Sequence, residues 1–69
     1  MKLTTKQEES LNKLKERYKN AAHVSEPYPL IGDSDCAMVD IEGFATEVVG
    51  GVYSRCITYG IEKDGYCHT

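Results

Sequence analysis

The spacing of apolar residues changes once along this chain, at a proline-containing segment over residues 25–29. Before this segment, apolar residues recur every three or four positions, which is the spacing of one face of an α-helix. These residues are Leu3, Leu11, Leu14, Tyr18 and Ala21. From Cys36 onward, apolar and polar residues alternate instead, which is typical of half-buried strands. The change of period predicts one helix followed by a sheet.

The helix is predicted over residues 5–21. Two overlapping capping boxes mark its start, because Thr5 is followed three residues later by Glu8, and Thr4 in the same way by Gln7. Basic residues then gather toward its end, where they complement the helix dipole. The apolar stripe is narrow, so we expect the helix to lie on the surface of a sheet.

The segment 22–35 is predicted to be a linker. Pro27 and Pro29 favour extended geometry in the residues that precede them and carry no backbone N–H. The run Gly32–Asp35 is typical of a turn.

Residues 36–69 are predicted to form an antiparallel sheet. A first strand is expected to end at Gly43, and Gly50–Gly51 predicts a two-residue hairpin turn. That turn would pair Val49 with Val52 and, further along, Phe44 with Ile57. A second hairpin is expected at residues 63–65, with Gly65 in the left-handed conformation and a short final strand over residues 66–69.

Together these elements predict an α+β fold in a single domain over residues 1–69. One N-terminal amphipathic helix packs on a small antiparallel β-meander of three to four strands. A chain of 69 residues has room for only one thin hydrophobic core. A thin core seldom supports a closed catalytic cleft, so we expect a protein without enzymatic activity.

The second face of the predicted sheet also carries apolar residues, which one helix cannot cover. Among them, Val49, Val52 and Cys56 are the predicted self-association residues. Since two-fold dimers are the commonest closed assembly, the expectation is a homodimer.

The charge is unevenly distributed, although the net charge is only −3. Residues 1–20 carry +3 and residues 21–69 carry −6. The basic helix could contact phosphates through Lys13, Lys15, Arg17 and Lys19. The acidic remainder makes nucleic acid an unlikely partner.

Carboxylates dominate the second part of the chain and could form one negative surface. The predicted partner-binding residues are Asp33, Asp35, Asp40, Glu42 and Glu47. A surface of this kind can occupy a basic groove on another protein. The alternative interpretation is a solvated face that only keeps the protein soluble.

The cysteine and histidine residues do not show the spacing of a zinc site. Structural zinc ligands usually come in pairs two to four residues apart, whereas the intervals between Cys36, Cys56 and Cys67 are 20 and 11 residues. Cys67 and His68 are adjacent, so on a strand they would point to opposite faces. The sequence therefore predicts no metal and no cofactor, and three reduced thiols of the kind found in the cytoplasm.

No run of residues is apolar and long enough to cross a bilayer, and Met1–Thr5 lacks the apolar segment of a secretory signal. The expected location is the cytoplasm. The leading hypothesis is a small non-enzymatic protein that binds another macromolecule, expected to be a protein of unknown identity. An example would be a phage or mobile-element inhibitor that blocks a host enzyme through the acidic surface. The alternatives are a thiol-based metal- or ligand-binding regulator and a nucleic-acid binder that uses the basic helix.

Overall fold

The helix α1 spans Thr5–Arg17 and begins with the Thr4 capping box. The computed structural model describes residues 1–48 and 51–69, with residues 45–48 and 51–54 described by their backbone alone. The Thr4 hydroxyl accepts a hydrogen bond from the Gln7 backbone N–H, and the Gln7 side chain accepts one from the Thr4 backbone N–H. Of the two capping boxes that the sequence offers, the earlier one forms.

The predicted C-terminus of the helix at residue 21 is wrong by about one turn. Tyr18 is the C-cap, and its backbone N–H still donates to the Leu14 carbonyl. Its ring packs on Phe44 at a centroid distance of 5.0 Å, and its hydroxyl hydrogen-bonds to the Tyr59 hydroxyl at 2.8 Å. These contacts with the sheet hold Tyr18 where the chain turns back, so packing overrides the helical pattern at this point.

Within the described part of the chain, five strands form one antiparallel sheet beside the helix. They are β1 (His23–Val24), β2 (Tyr28–Leu30), β3 (Asp33–Val48), β4 (Gly51–Ile61) and β5 (Cys67–His68). Strands β3, β4 and β5 form a meander, while β1 and β2 both pair with β3. The predicted α+β fold is confirmed.

The segment 22–35 is not simply a linker, because it contributes β1, β2 and the start of β3. An edge strand needs hydrogen bonds on one side only, so Pro29 is tolerated within β2. Between the two short strands, Ser25 continues the pairing. Its backbone N–H donates to the Asp40 carbonyl, and its hydroxyl accepts from the Asp40 backbone N–H.

Gly43 does not end the strand as predicted. It lies inside β3 with φ +76°, at a shift of register between Glu42 and Phe44. A Cβ at this position would lie 2.5 Å from the Cβ of Ala22, so only glycine allows the chain to pass so closely. The glycine forms a β-bulge, and the strand continues beyond it.

The predicted hairpin between β3 and β4 forms with a different register. Val48 pairs with Gly51, so Gly51 is a strand residue and not part of a two-residue Gly50–Gly51 turn. Phe44 pairs with Arg55 and not with Ile57. Val49 and Gly50 lie outside the described residues.

The terminal hairpin is confirmed. Gly65 has φ +93°, and its N–H donates to the Glu62 carbonyl at 2.8 Å. Glu62 and Tyr66 then face each other across a three-residue loop, with the Glu62 N–H donating to the Tyr66 carbonyl.

The hydrophobic core lies between the helix and one face of the sheet. Its buried members are Leu11, Leu14, Ala37, Val39, Ile41 and Ile61. The stripe predicted for the helix is confirmed, since Leu3, Tyr18 and Ala21 pack against the same cluster. Within residues 1–48 and 51–69, no helix is both long and apolar enough to span a membrane.

Candidate metal centre

The face of the sheet turned away from the helix carries a compact group of chemically active side chains. Side chains alternate between the two faces of a strand. Ala37 and Val39 pack under the helix, so Cys36 and Met38 project from the opposite face. Cys36 is nevertheless fully buried.

The group consists of Cys36 on β3, Glu62 just after β4 and His68 on β5. One potential ligand atom of each residue lies within 4.8 Å of the other two. His68 Nε2 is 2.6 Å from Glu62 Oε2. The Glu62 and His68 side chains are both partly exposed, with 38% and 40% of their surface accessible. The group therefore has a buried sulfur atom, from Cys36, and two polar side chains on its solvent-exposed side, from Glu62 and His68.

Gly60 provides the space for this cluster. It lies on β4 opposite both Met38 on β3 and His68 on β5. A Cβ at Gly60 would lie 3.1 Å from His68 Nε2 and 3.2 Å from Cys36 Sγ. Because glycine has no side chain, the imidazole and the thiol can approach each other across the middle strand.

The terminal hairpin orients the other two members of the cluster. Its three-residue loop places Glu62 and Tyr66 opposite each other, two residues before His68. The Tyr66 ring stacks on the His68 ring with a centroid distance of 5.8 Å and an interplanar angle of 24°. The imidazole is thus held between an aromatic ring and a carboxylate.

Gln7 positions the cluster from the other side of the sheet. Its side chain is only 2% exposed, and Nε2 donates to the Asp35 carbonyl at 2.8 Å and to the Ile61 carbonyl at 3.0 Å. These two residues directly precede Cys36 and Glu62. The helix N-terminus therefore fixes the backbone from which both ligands project.

The surroundings of Cys36 keep its thiol protonated. Burial, together with the nearby Glu62 carboxylate, raises the pKa of the Cys36 thiol. Activated cysteine nucleophiles show the opposite shift, because positive neighbours stabilise their thiolates. A bound cation would reverse the balance here, since it would replace the proton and compensate the negative charges.

The sequence did not indicate this cluster. Its members are separated by 26 and 6 residues, so no short ligand motif exists. The cluster forms because three adjacent strands bring distant residues into one corner of the sheet. Gln7 was also missed: the capping box indicated its role at the helix start, but nothing in the sequence indicated its contacts with the sheet.

The other two cysteines lie elsewhere, and all three thiols are free. Cys56 is exposed and pairs with Glu42. Cys67 packs against the core on the helix side, so the prediction that Cys67 and His68 point to opposite faces is confirmed. Among the predicted self-association residues, Val49 lies outside the described residues and Val52 is described only by its backbone pairing.

The predicted acidic surface is dispersed along β3. Asp33 and Glu42 are nine residues apart, which is about 30 Å on a strand. Asp40 has partners within the protein, because its carboxylate accepts hydrogen bonds from the Tyr28 and Thr58 hydroxyls. Asp35 lies 3.8 Å from the Lys63 ammonium group. Glu47 is described by its backbone alone.

The predicted basic residues lie on different sides of the helix end. Lys13 and Arg17 line a groove between α1 and the terminal hairpin. Lys15 lines a separate depression beside Glu26. Lys19 lies beyond the end of the helix, 3.9 Å from the Glu16 carboxylate. The four cations therefore do not form one continuous patch.

Comparison with known proteins gives no match: no protein-family model, no curated protein and no solved structure is significantly similar to this chain.

Proposed function

We propose that this protein is a thiol-based metal-binding regulator that takes one ion of the zinc class at Cys36, Glu62 and His68. The observation that carries the proposal is the convergence of a thiol, an imidazole and a carboxylate within 4.8 Å. Thiolate sulfur, imidazole nitrogen and carboxylate oxygen are the three ligand types that zinc accepts in proteins.

Small side-chain movements would complete the coordination. Standard zinc–ligand distances place the ligand atoms of a tetrahedral ion roughly 3.3–3.8 Å apart. The contact between His68 Nε2 and Glu62 Oε2, at 2.6 Å, would open by less than 1 Å. The thiol would release its proton to solvent as the metal–sulfur bond forms.

Such a site has three protein ligands and one open position. In zinc proteins this arrangement leaves room for water or for a donor atom from a partner. The ion would also connect β3 to β5 across β4, because Cys36 and His68 belong to these two strands. Metal binding would therefore hold the short terminal strand in place, which is how occupancy could be transmitted to a partner.

Cobalt(II) absorption tests the proposal, since Co²⁺ is a coloured substitute for zinc. The wild-type protein should show a thiolate-to-cobalt charge-transfer band and the intense visible bands of a tetrahedral ion. Cys36→Ala should lose the charge-transfer band, whereas the matched variant Cys56→Ser should keep it. A band that survives Cys36→Ala, or one that depends on Cys56, would overturn the proposal.

Gly60→Ala tests the geometry separately from the ligands. The added Cβ would press on His68 and Cys36, which must then move apart by a few tenths of an ångström. We expect weaker cobalt binding with the ligands all present. Unchanged affinity would mean that the close approach over Gly60 is not needed for binding.

The hypothesis of a macromolecular partner bound through the acidic residues stays a prediction. Four carboxylates lie together beside the proposed metal site. Asp33, Asp35, Glu62 and Asp64 line one depression, together with Lys63, whose ammonium group lies beside Asp35. A partner that recognises these carboxylates would therefore also contact the open side of the site.

A further inference from the structure

We propose that Met38 is an additional ligand, and that it allows the same site to bind a soft monovalent ion of the Cu(I) class. This inference rests on the proposed function, because it uses the same thiol and imidazole. It adds a second set of ligands around Cys36, in which a thioether replaces the carboxylate.

The position of Met38 carries the inference. Its Sδ lies 3.9 Å from Cys36 Sγ, on the same face of β3. Two sulfur atoms bound to one ion at about 2.3 Å lie roughly 3.8 Å apart when the angle between them is tetrahedral. The two sulfurs are thus already at the separation that a shared metal ion requires.

The sheet register directs Met38 toward the imidazole as well. Met38 pairs with Gly60, and Gly60 pairs with His68, so the three residues form one row across β3, β4 and β5. The middle residue has no side chain, so no side chain stands between the thioether and the imidazole within this row. The His68 imidazole and Cys36 Sγ both lie close over Gly60, with Cys36 reaching it from the next row.

The chemistry of the two ligand sets differs. Cys36, His68 and Glu62 combine sulfur, nitrogen and a hard oxygen, which suits zinc. Cys36, Met38 and His68 offer a thiolate, a thioether and an imidazole, and soft sulfur ligands favour Cu(I). In the second case a copper–sulfur bond replaces the S–H bond of Cys36, the proton leaves to solvent, and the ion keeps its oxidation state.

The competing explanation is that Met38 only fills space. Methionine is flexible and often occupies irregular gaps. Met38→Leu keeps nearly the same volume, so the variant should fold and should preserve packing. It removes only the sulfur.

The test follows the two methionine methyl groups by NMR in protein labelled at the methionine methyl carbon. Met1 serves as the internal reference. Ag⁺, a redox-stable substitute for Cu(I), should shift the Met38 methyl signal and leave the Met1 signal unchanged. Zn²⁺ should leave the Met1 signal unchanged and should shift the Met38 methyl signal less than Ag⁺ does, because it replaces the neighbouring Cys36 proton without binding the Met38 sulfur.

A second measurement uses competition with a chromogenic Cu(I) chelator under anaerobic conditions. Met38→Leu should weaken Cu(I) binding by about tenfold or more, since even residues that only orient a metal ligand contribute about that much to affinity, and should leave zinc affinity unchanged. If zinc binds at Cys36 but Ag⁺ does not move the Met38 methyl and Met38→Leu leaves Cu(I) affinity intact, the inference is wrong and the proposed function stands. If no metal ion binds through Cys36, both are wrong.

Discussion

The same strands form both faces of the sheet, but the two faces carry different kinds of side chains. On the helix side, Val39, Ile41 and Ile61 are fully buried in an apolar core. On the opposite side, the neighbouring positions carry a thiol, a thioether, a carboxylate and an imidazole. Strand alternation alone separates the two sets, because adjacent residues such as Cys67 and His68 point to opposite faces.

This division lets a small domain carry a cluster of sulfur, carboxylate and imidazole groups without weakening its core. The helix covers one face, so hydrophobic burial there supplies most of the stability. Within the described residues no helix covers the other face, and the Glu62 and His68 side chains there are partly exposed to solvent. If stability and metal binding are divided between the two faces in this way, substitutions on each face should change the free energy of unfolding differently.

The largest effect is expected on the helix side. Leu14 is 5% exposed and packs in the core, so Leu14→Ala should lower the free energy of unfolding by about 3 kcal/mol. Urea denaturation followed by circular dichroism measures this change. A loss below about 0.5 kcal/mol, typical of surface positions, would show that the helix is not the main cover of the sheet.

Metal binding should have the next largest effect, on the opposite face. At a free zinc concentration one hundred times the dissociation constant, the wild-type protein should gain about 2.7 kcal/mol. The same titration of Cys36→Ala should give no comparable gain, and Cys56→Ser should behave like the wild type. Equal stabilisation of all three proteins would place the zinc-binding site somewhere else.

Gln7 connects the two faces, because it belongs to the helix and fixes the strands that carry the cluster. Gln7→Ala removes its hydrogen bonds to the Asp35 and Ile61 carbonyls, which should cost about 2 kcal/mol. It should also weaken zinc binding, since the backbone next to Cys36 and Glu62 is no longer held. Lower stability with undiminished zinc affinity would show that Gln7 has no part in positioning the site.

The smallest effect is expected at the hydrogen bond between Tyr18 and Tyr59. Tyr59→Phe should cost about 1 kcal/mol at neutral pH. The hydrogen bond to Tyr18, followed by burial, raises the pKa of Tyr59 in the folded protein. This contribution is therefore complete below the unfolded pKa of about 10 and is lost as the pH rises through the folded pKa.

The pH dependence provides the control for Tyr59→Phe. Above pH 10 the wild type should lose more stability than the variant, so the difference between the two proteins should shrink. Denaturation curves at pH 8 and at successively higher pH values measure this difference. A constant difference across the range would show that Tyr59 does not titrate as described.

Local signals predicted the parts of the fold that depend on neighbouring residues. The helix stripe, the Thr4 capping box and the Gly65 hairpin each depend on residues that are only a few positions apart in the sequence. The predicted register of the long hairpin was wrong from the turn onward, because Val48, the last residue of β3, pairs with Gly51. The bulge at Gly43 adds a further shift, which depends on the close passage of Ala22. The short strands β1 and β2 could not be predicted either, because they form by pairing with β3, whose middle part is distant from them in the sequence.

The candidate site was beyond prediction for the same physical reason. Its residues meet through the register of β3, β4 and β5, and that register depends on contacts far apart in sequence. The cysteine and histidine residues themselves were noticed, but their spacing favoured separate roles. Glu62 gave no signal, since a single carboxylate is an ordinary residue. Gly60 gave only a general one, since a glycine inside a strand often marks the close approach of another group without indicating which.

X-ray absorption at the zinc edge of the zinc-loaded protein tests the central claim most directly, because it counts the atoms bound to the metal. The account predicts one sulfur at about 2.3 Å, from Cys36, and nitrogen or oxygen neighbours at about 2.0–2.2 Å, from His68, Glu62 and one further donor. A shell without sulfur, or one with two or more sulfur atoms, would contradict it.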